Sequence, residues 1–264
     1  MRPSRTSNAA WIATAYVSFV MVMTLPAVSG ALPVADNTAT TPVPRDANWV
    51  KRHDGFVEIA KRGGVDVLFL GDSITDAWGG EGHNKNSAGA KIFEKTFEPL
   101  KTANFGIGGD RTQHVLWRIQ NGELDGITPK VCMLMIGTNN SNGTDNTAEE
   151  IAEGITLIVN TLREKQPQTK VLLLAVFPRA DKREPGIEKI PADGLRKKND
   201  DVNKIIAKLD DGKNVRYLDI GPKFLEDDGS LSKAIMPDFL HLSEKGYQIW
   251  ADAVLPMLTE LLVK

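Results

Sequence analysis

The residues of this chain best equipped for chemistry are a serine, a histidine and an aspartate, with a glycine and an asparagine to support them. Ser73 stands in GDSIT at 71–75, at the exit of an apolar run over 65–70. Asp238 and His241 stand three residues apart in DFLH at 238–241. Attack on an ester carbonyl needs a nucleophile, a base to take its proton and a group that orients the base. Ser73, His241 and Asp238 are candidates for those three tasks. The developing oxyanion needs fixed donors. The backbone N–H of Ser73, that of Gly109 in NFGIGGD at 104–110, and the side-chain amide of Asn139 in GTNN at 137–140 can supply three.

Each of these residues has a plainer reading. Glycine, aspartate, serine and asparagine are ordinary turn residues. Gly106, Gly108 and Gly109 permit a tight turn, and G-x-G-G-D does not complete the G-x-G-x-x-G of a dinucleotide loop. Asp238 and His241 are possible metal ligands, but no second histidine pair stands nearby to complete a zinc site. His53, His83 and His114 read as surface or packing residues, His114 lying three positions from Trp117. Cys132 is the only cysteine, which rules out an internal disulfide, and its apolar surroundings at 131–136 suit a small core residue.

The elements that must position these groups favour the catalytic reading. Apolar runs at 65–70, 102–105, 131–136, 171–177 and 215–220 read as strands. Helical patterns fill 90–100, 112–124, 147–165, 195–209 and 243–263. The third of these opens on Thr147 with Glu150 three residues on, a capping box, and Pro167 stops it. Val202, Ile205, Ile206 and Leu209 share one face of the fourth. Tyr247, Trp250, Val254, Leu258 and Leu261 form a stripe on the last, with a kink expected at Pro256. Both stripes read as core contacts. Alternating strand and helix specifies an α/β fold, a three-layer α/β/α sandwich with about five parallel strands. Ligands bind outside the carboxyl ends of such strands. Ser73 follows the first strand, NFGIGGD the second and GTNN the third, while DFLH stands just before the last helix, so the four signals converge.

A chain of 264 residues with 41% hydrophobic and 25% charged residues has enough apolar matter for one soluble domain. Its first 31 residues carry Arg2 and Arg5, then an apolar run, then small residues at 27–31, the order of a secretory signal peptide. Retention as a single membrane anchor is the alternative. Residues 32–48, rich in Pro, Thr, Ala and Asp, read as a linker, and 49–264 as the domain. Loss of residues 1–31 removes two positive charges and takes the formal charge from −2 to −4. A mildly acidic protein has no electrostatic footprint for nucleic acid. The expectation is an exported protein, periplasmic or extracellular, with no stable membrane insertion once the signal is cleaved.

These blocks resemble those of the GDSL, or SGNH, hydrolase superfamily, with Ser73 in GDSIT, Gly109 in NFGIGGD, Asn139 in GTNN, and His241 with Asp238 in DFLH. The stretch NFGIGGDRTQHVLWRIQNGEL at 104–124 is more closely similar to the catalytic subunits of the platelet-activating-factor acetylhydrolase Ib type. The resemblance runs from about residue 65 to the C-terminus. It implies a flavodoxin-like sandwich, an ester-hydrolysing Ser-His-Asp mechanism without metal or other cofactor, and a small pocket preferring acetyl groups. Ile74 replaces the leucine of the name motif, a conservative change. The signal peptide is the larger departure, because those relatives are intracellular. It redirects the expected substrate toward small-molecule or carbohydrate esters. A lysophospholipase or thioesterase with a longer acyl groove, and an inactive binding module on the same fold, are the competing expectations. The charged segment at 179–195 reads as a solvated loop that also forms the rim of the acyl site.

Overall fold

Five segments of four or five residues are each too short for a stable helix; four are mostly buried along their length, and the last, at 215–218, is buried at Val215 and half-buried beyond it. They become strands covered on both faces. In the computed structural model, whose described residues are 1, 37–180, 189–190 and 193–263, they form β1 (Val67–Gly71), β2 (Thr102–Gly106), β3 (Val131–Met135), β4 (Lys170–Leu174) and β5 (Val215–Leu218). All pair in parallel, in the order β2-β1-β3-β4-β5. The order reverses between β1 and its two neighbours, so the crevice for a ligand opens beyond the carboxyl ends of β1 and β3. The chain has the three-layer α/β/α fold with five parallel strands.

The helices are α1 (Ala47–Arg62), α2 (Ser73–Asp76), α3 (Ala90–Thr96), α4 (Thr112–Gln120), α5 (Ala148–Lys165), α6 (Gly194–Ile206) and α7 (Glu244–Val263). Strand side chains alternate between two cores, as a period of two requires. Val67, Phe69 and Met133 face a core completed by α3 and α7, including Phe93, Tyr247 and Trp250. Leu68, Leu70, Cys132 and Leu134 face the other, completed by α1, α4, α5 and α6. The capping box expected at Thr147 is present: its hydroxyl accepts from the Glu150 N–H, and the Glu150 carboxylate accepts from the Thr147 N–H.

Several boundaries differ from the sequence-based expectation. The fourth strand stops at Leu174 rather than at 177, because both backbone groups of Val176 turn to the Asn203 side chain. The helix expected over 112–124 ends at Gln120, where Gly122 takes a φ of +105°. The one expected over 90–100 ends at Thr96 and passes into a single 3-10 turn containing Pro99.

Helix α1 was absent from the expected set, although Trp49, His53, Phe56 and Ala60 are spaced as one buried helical face and Asp46 caps its first turn. The compact unit starts at Asn37 rather than Trp49. The stretch read as a linker is therefore structured from residue 37 onward. Polar contacts hold it, such as the Thr112 hydroxyl to the Ala39 carbonyl (2.8 Å) and the Asn37 amide to the Glu150 carbonyl (3.1 Å), and these leave no hydrophobic periodicity to read. The expected signal peptide and the start of the linker lie outside the described residues. So does most of 179–195, of which Lys189–Ile190 pairs antiparallel with Leu231–Ser232. Among the described residues no helix is long and apolar enough to cross a membrane.

Candidate active site

Ser73 is the first residue of α2, directly beyond β1. The turn between them is tight: a Cβ on Gly71 would collide with the Thr75 side chain and the Met135 carbonyl, so only glycine ends β1 here. Asp72 caps α2 by accepting the Ile74 N–H at 2.9 Å. The far side of this helix rests on α7, where the buried Tyr247 hydroxyl donates to the Ile74 carbonyl at 2.7 Å. Trp78 packs against Tyr247 and Trp250, with ring centroids 4.6 and 4.9 Å apart. The stripe on α7 is thus core, as read, and one of its members also holds the turn that presents Ser73.

The structure brings Ser73 and His241 together across 168 residues of sequence, with Ser73 Oγ 2.9 Å from His241 Nε2. On the other side of the ring, Nδ1 is 2.8 Å from Asp238 Oδ2. A carboxylate only accepts, so Nδ1 carries the proton and Nε2 is left to accept from the serine hydroxyl. Asp238 Oδ1 accepts the backbone N–H groups of Leu240 (3.1 Å) and His241 (2.7 Å), which closes the DFLH turn on itself. Burial pushes the Asp238 carboxyl up. The hydrogen bonds from the His241 ring and backbone outweigh this and hold it below the usual carboxylate range. Between the two, Phe239 is fully buried in the left-handed region at φ +60°. A bulky side chain there costs about 1–3 kcal/mol, offset in part by backbone bonds from Phe239 N–H to Met236 and from Ala180 N–H to Phe239, both 2.9 Å.

The glycine loop lies alongside Ser73: a Cβ on Gly108 would sit 3.8 Å from that of Ser73. Gly109 follows with φ +79°, where an L side chain is strained. Neither the Ser73 nor the Gly109 N–H has an acceptor among the described residues. Asn139 Nδ2 donates to the Asp110 carbonyl at 2.8 Å, which ties the third loop to the second and leaves one amide hydrogen to give. Such an arrangement can hold an anionic oxygen beside a nucleophilic hydroxyl.

The remaining histidines are not surface residues. His53 is buried between Glu123 (3.0 Å) and the Asn121 carbonyl (3.0 Å), and the His83 ring lies between Asp76 (2.7 Å) and the Asn104 carbonyl (2.7 Å). His114 accepts the Arg111 N–H at 3.0 Å and packs edge-on against Trp49. Burial and the nearby Arg45 push it down to about 4, so it is neutral. None of the three reaches Ser73. The Cys132 thiol is buried and pushed up by that burial, in keeping with a core role.

Sequence reasoning missed Asp72 as anything more than a turn residue. It is fully buried, its Oδ2 has no partner among the described residues, and burial pushes it up to about 7. Between the ordinary carboxylate value of 3.8 and about 7 the native state keeps a proton that the unfolded chain has released. Stability therefore falls as pH rises through that window. The full separation corresponds to about 4 kcal/mol. Asp72→Asn keeps the cap and cannot ionise, so its urea midpoint will exceed that of the parent at pH 8, with the gap narrowing by pH 5. An equal gap at both pH values would contradict this account of Asp72.

Residues 69–249 match the model of the GDSL-like lipase/acylhydrolase family, and the chain belongs to that family. It is an ester-cleaving hydrolase of the GDSL type. Among curated proteins, subunit alpha2 of the rat (Rattus norvegicus) platelet-activating factor acetylhydrolase IB is 41% identical over 216 residues, covering 81% of this chain and 85% of its own. Subunit alpha1 of the human (Homo sapiens) enzyme is 37% identical over 235 residues, covering 87% and 93%. A solved structure from Bacteroides fragilis described as an acylhydrolase superposes with a TM-score of 0.63 at 18% identity, over 83% of this chain and 99% of that one, and supports the fold.

Proposed function

We propose that this acylhydrolase is an exported serine esterase that removes short acyl groups, acetyl foremost, from small-molecule or carbohydrate esters. The observation that carries the reading is the continuous chain of contacts from Asp238 through His241 to Ser73 Oγ, 2.8 and 2.9 Å long, at the carboxyl edge of the sheet. The acetyl preference draws support from the similarity to acetylhydrolase subunits. Export draws support from the basic, apolar and small-residue order of residues 1–31.

In this mechanism Ser73 Oγ attacks the ester carbonyl carbon as its proton passes to His241 Nε2. Asp238 holds the ring in the accepting tautomer and stabilises the imidazolium. The carbonyl oxygen becomes an oxyanion held by the Ser73 and Gly109 N–H groups and the free amide hydrogen of Asn139. The carbon–oxygen bond to the alcohol then breaks, and the imidazolium returns its proton to the departing alkoxide oxygen. Water repeats the sequence on the acyl-serine, releasing the acid and restoring Ser73. No residue outside these five need exchange a proton.

The test is hydrolysis of p-nitrophenyl esters from acetate to decanoate. We expect kcat/KM to be greatest on acetate and to fall steadily with chain length. A maximum at octanoate or decanoate would overturn the short-acyl assignment in favour of a lysophospholipase-like or thioesterase-like groove.

A further inference from the structure

Gly108 is held through both of its backbone groups by side chains remote in sequence: its N–H belongs to the preceding peptide, and its carbonyl to the Gly108–Gly109 peptide. The Gly108 N–H donates to Asp76 Oδ2 at 3.0 Å. Its carbonyl accepts from Arg45 Nη1 at 2.8 Å. In a trans peptide the carbonyl and the following N–H point in opposite directions across one rigid plane. Whatever fixes the Gly108 carbonyl therefore also fixes the direction of the Gly109 N–H. We infer that Arg45 is a positioning residue for the reaction: by holding the Gly108 carbonyl it aims the Gly109 N–H at the oxyanion. This rests on the reading of Gly109 as an oxyanion donor given above.

The guanidinium is itself held in place. Arg45 Nη1 also reaches Asp110 Oδ1 at 3.1 Å, and that carboxylate is buried between Trp49 Nε1 (2.6 Å) and Arg118 Nε (2.9 Å). The Asp110 carbonyl in turn accepts from the Asn139 amide, so one residue joins the Arg45 clamp to the second donor. The fit is close: a Cβ on Gly109 would lie 3.2 Å from Arg45 Nη1 and 3.3 Å from Nη2. On the opposite side Asp76 is fixed by a bidentate pair with Arg52, at 2.9 and 3.0 Å, and by His83. Burial pushes the Asp76 carboxyl up, but the hydrogen bonds from His83 and Arg52 prevail and keep it ionised as an acceptor.

Arg45 comes from the segment ahead of α1, outside the strand-and-helix alternation that carries the other site residues. Its side chain is 30% exposed, so truncating it leaves the two cores intact. Nη1 alone makes both contacts; lysine keeps the charge but not the rigid guanidinium plane that fixes the directions of the two Nη1 hydrogens.

The experiment compares Arg45→Ala and Arg45→Lys with the parent and with Asn139→Ala, measuring kcat and KM on p-nitrophenyl acetate, inhibition by a short alkylboronic acid, and thermal unfolding. A boronate forms a tetrahedral anion on serine and so reports the oxyanion site. We expect Arg45→Ala to lower kcat about tenfold to a hundredfold, somewhat less than loss of a donor itself. KM should stay within about twofold, and boronate Ki should rise by a factor similar to the loss in kcat. Arg45→Lys should fall between Ala and the parent, and it serves if the alanine variant does not fold. Asn139→Ala should lose at least about a hundredfold in kcat. Parent-like kcat and Ki in the Arg45 variants, with Asn139→Ala impaired, would overturn the role of Arg45 alone. Losses in Arg45→Ala that appear in KM, or only in step with a lowered melting temperature, would reduce Arg45 to a structural residue and also overturn it. Parent-like activity in Asn139→Ala would instead overturn the oxyanion site, and the Arg45 inference with it.

Discussion

Alanine at Ser73 will lower kcat on p-nitrophenyl acetate by about ten-thousandfold or more, and alanine at His241 will cost nearly as much. The size follows from what each change removes. Without Oγ no acyl-enzyme can form, and without Nε2 at 2.9 Å nothing takes the hydroxyl proton as the bond to carbon develops. The two residues act in one step, so the double variant should be no worse than the more damaged single one. Both side chains are only partly buried, and folding should be preserved, as far-ultraviolet circular dichroism would show. Turnover within tenfold of the parent in either variant would remove the serine mechanism from consideration.

The second large effect is expected at Asp238→Asn, again about ten-thousandfold in kcat. The two carboxylate oxygens have different tasks. Oδ1 accepts two backbone N–H groups, and Oδ2 accepts from His241 Nδ1. Asparagine has one accepting oxygen, and the backbone pair will claim it, leaving the NH2 to face the imidazole. Nδ1 must then accept, the ring proton moves to Nε2, and the base faces Ser73 with a hydrogen where it needs a lone pair. The turn survives, so KM should change little and the melting temperature should stay near that of the parent. A loss smaller than about tenfold would show that the ring does not depend on Asp238 for its tautomer.

The sheet was legible because its strands are short apolar runs separated by amphipathic helices, a pattern few other architectures satisfy. The meeting of Ser73 with His241 was legible for a related reason: polar motifs recurring at strand exits must converge if the strands are parallel. The stripe on α7 pointed to core, but not to the Tyr247 hydroxyl supporting the first turn of α2. Less could be read where a partner is a backbone group. Arg45 holds a carbonyl 63 residues away, and nothing in PRDANW marks it. Asp72 reads as a turn aspartate, because aspartate beside a strand exit is ordinary turn chemistry and its complete burial is set by the folded surroundings. The helical spacing of Trp49, His53, Phe56 and Ala60 was present in the sequence, but its start is obscured by the Pro- and Thr-rich stretch before it.

If Ser73 is the nucleophile it must pass through a covalent acyl-enzyme, and that bond can be trapped. The full chain would be treated with diethyl p-nitrophenyl phosphate, which transfers a diethylphosphoryl group to an activated serine, and analysed by intact mass and peptide mapping. One adduct per chain is expected, mapped to Ser73, with loss of esterase activity in proportion to labelling and greatly slowed labelling in His241→Ala. Complete loss of activity with the adduct on another residue, or undiminished turnover of p-nitrophenyl acetate by chains fully labelled at Ser73, would contradict the assignment of Ser73 as nucleophile.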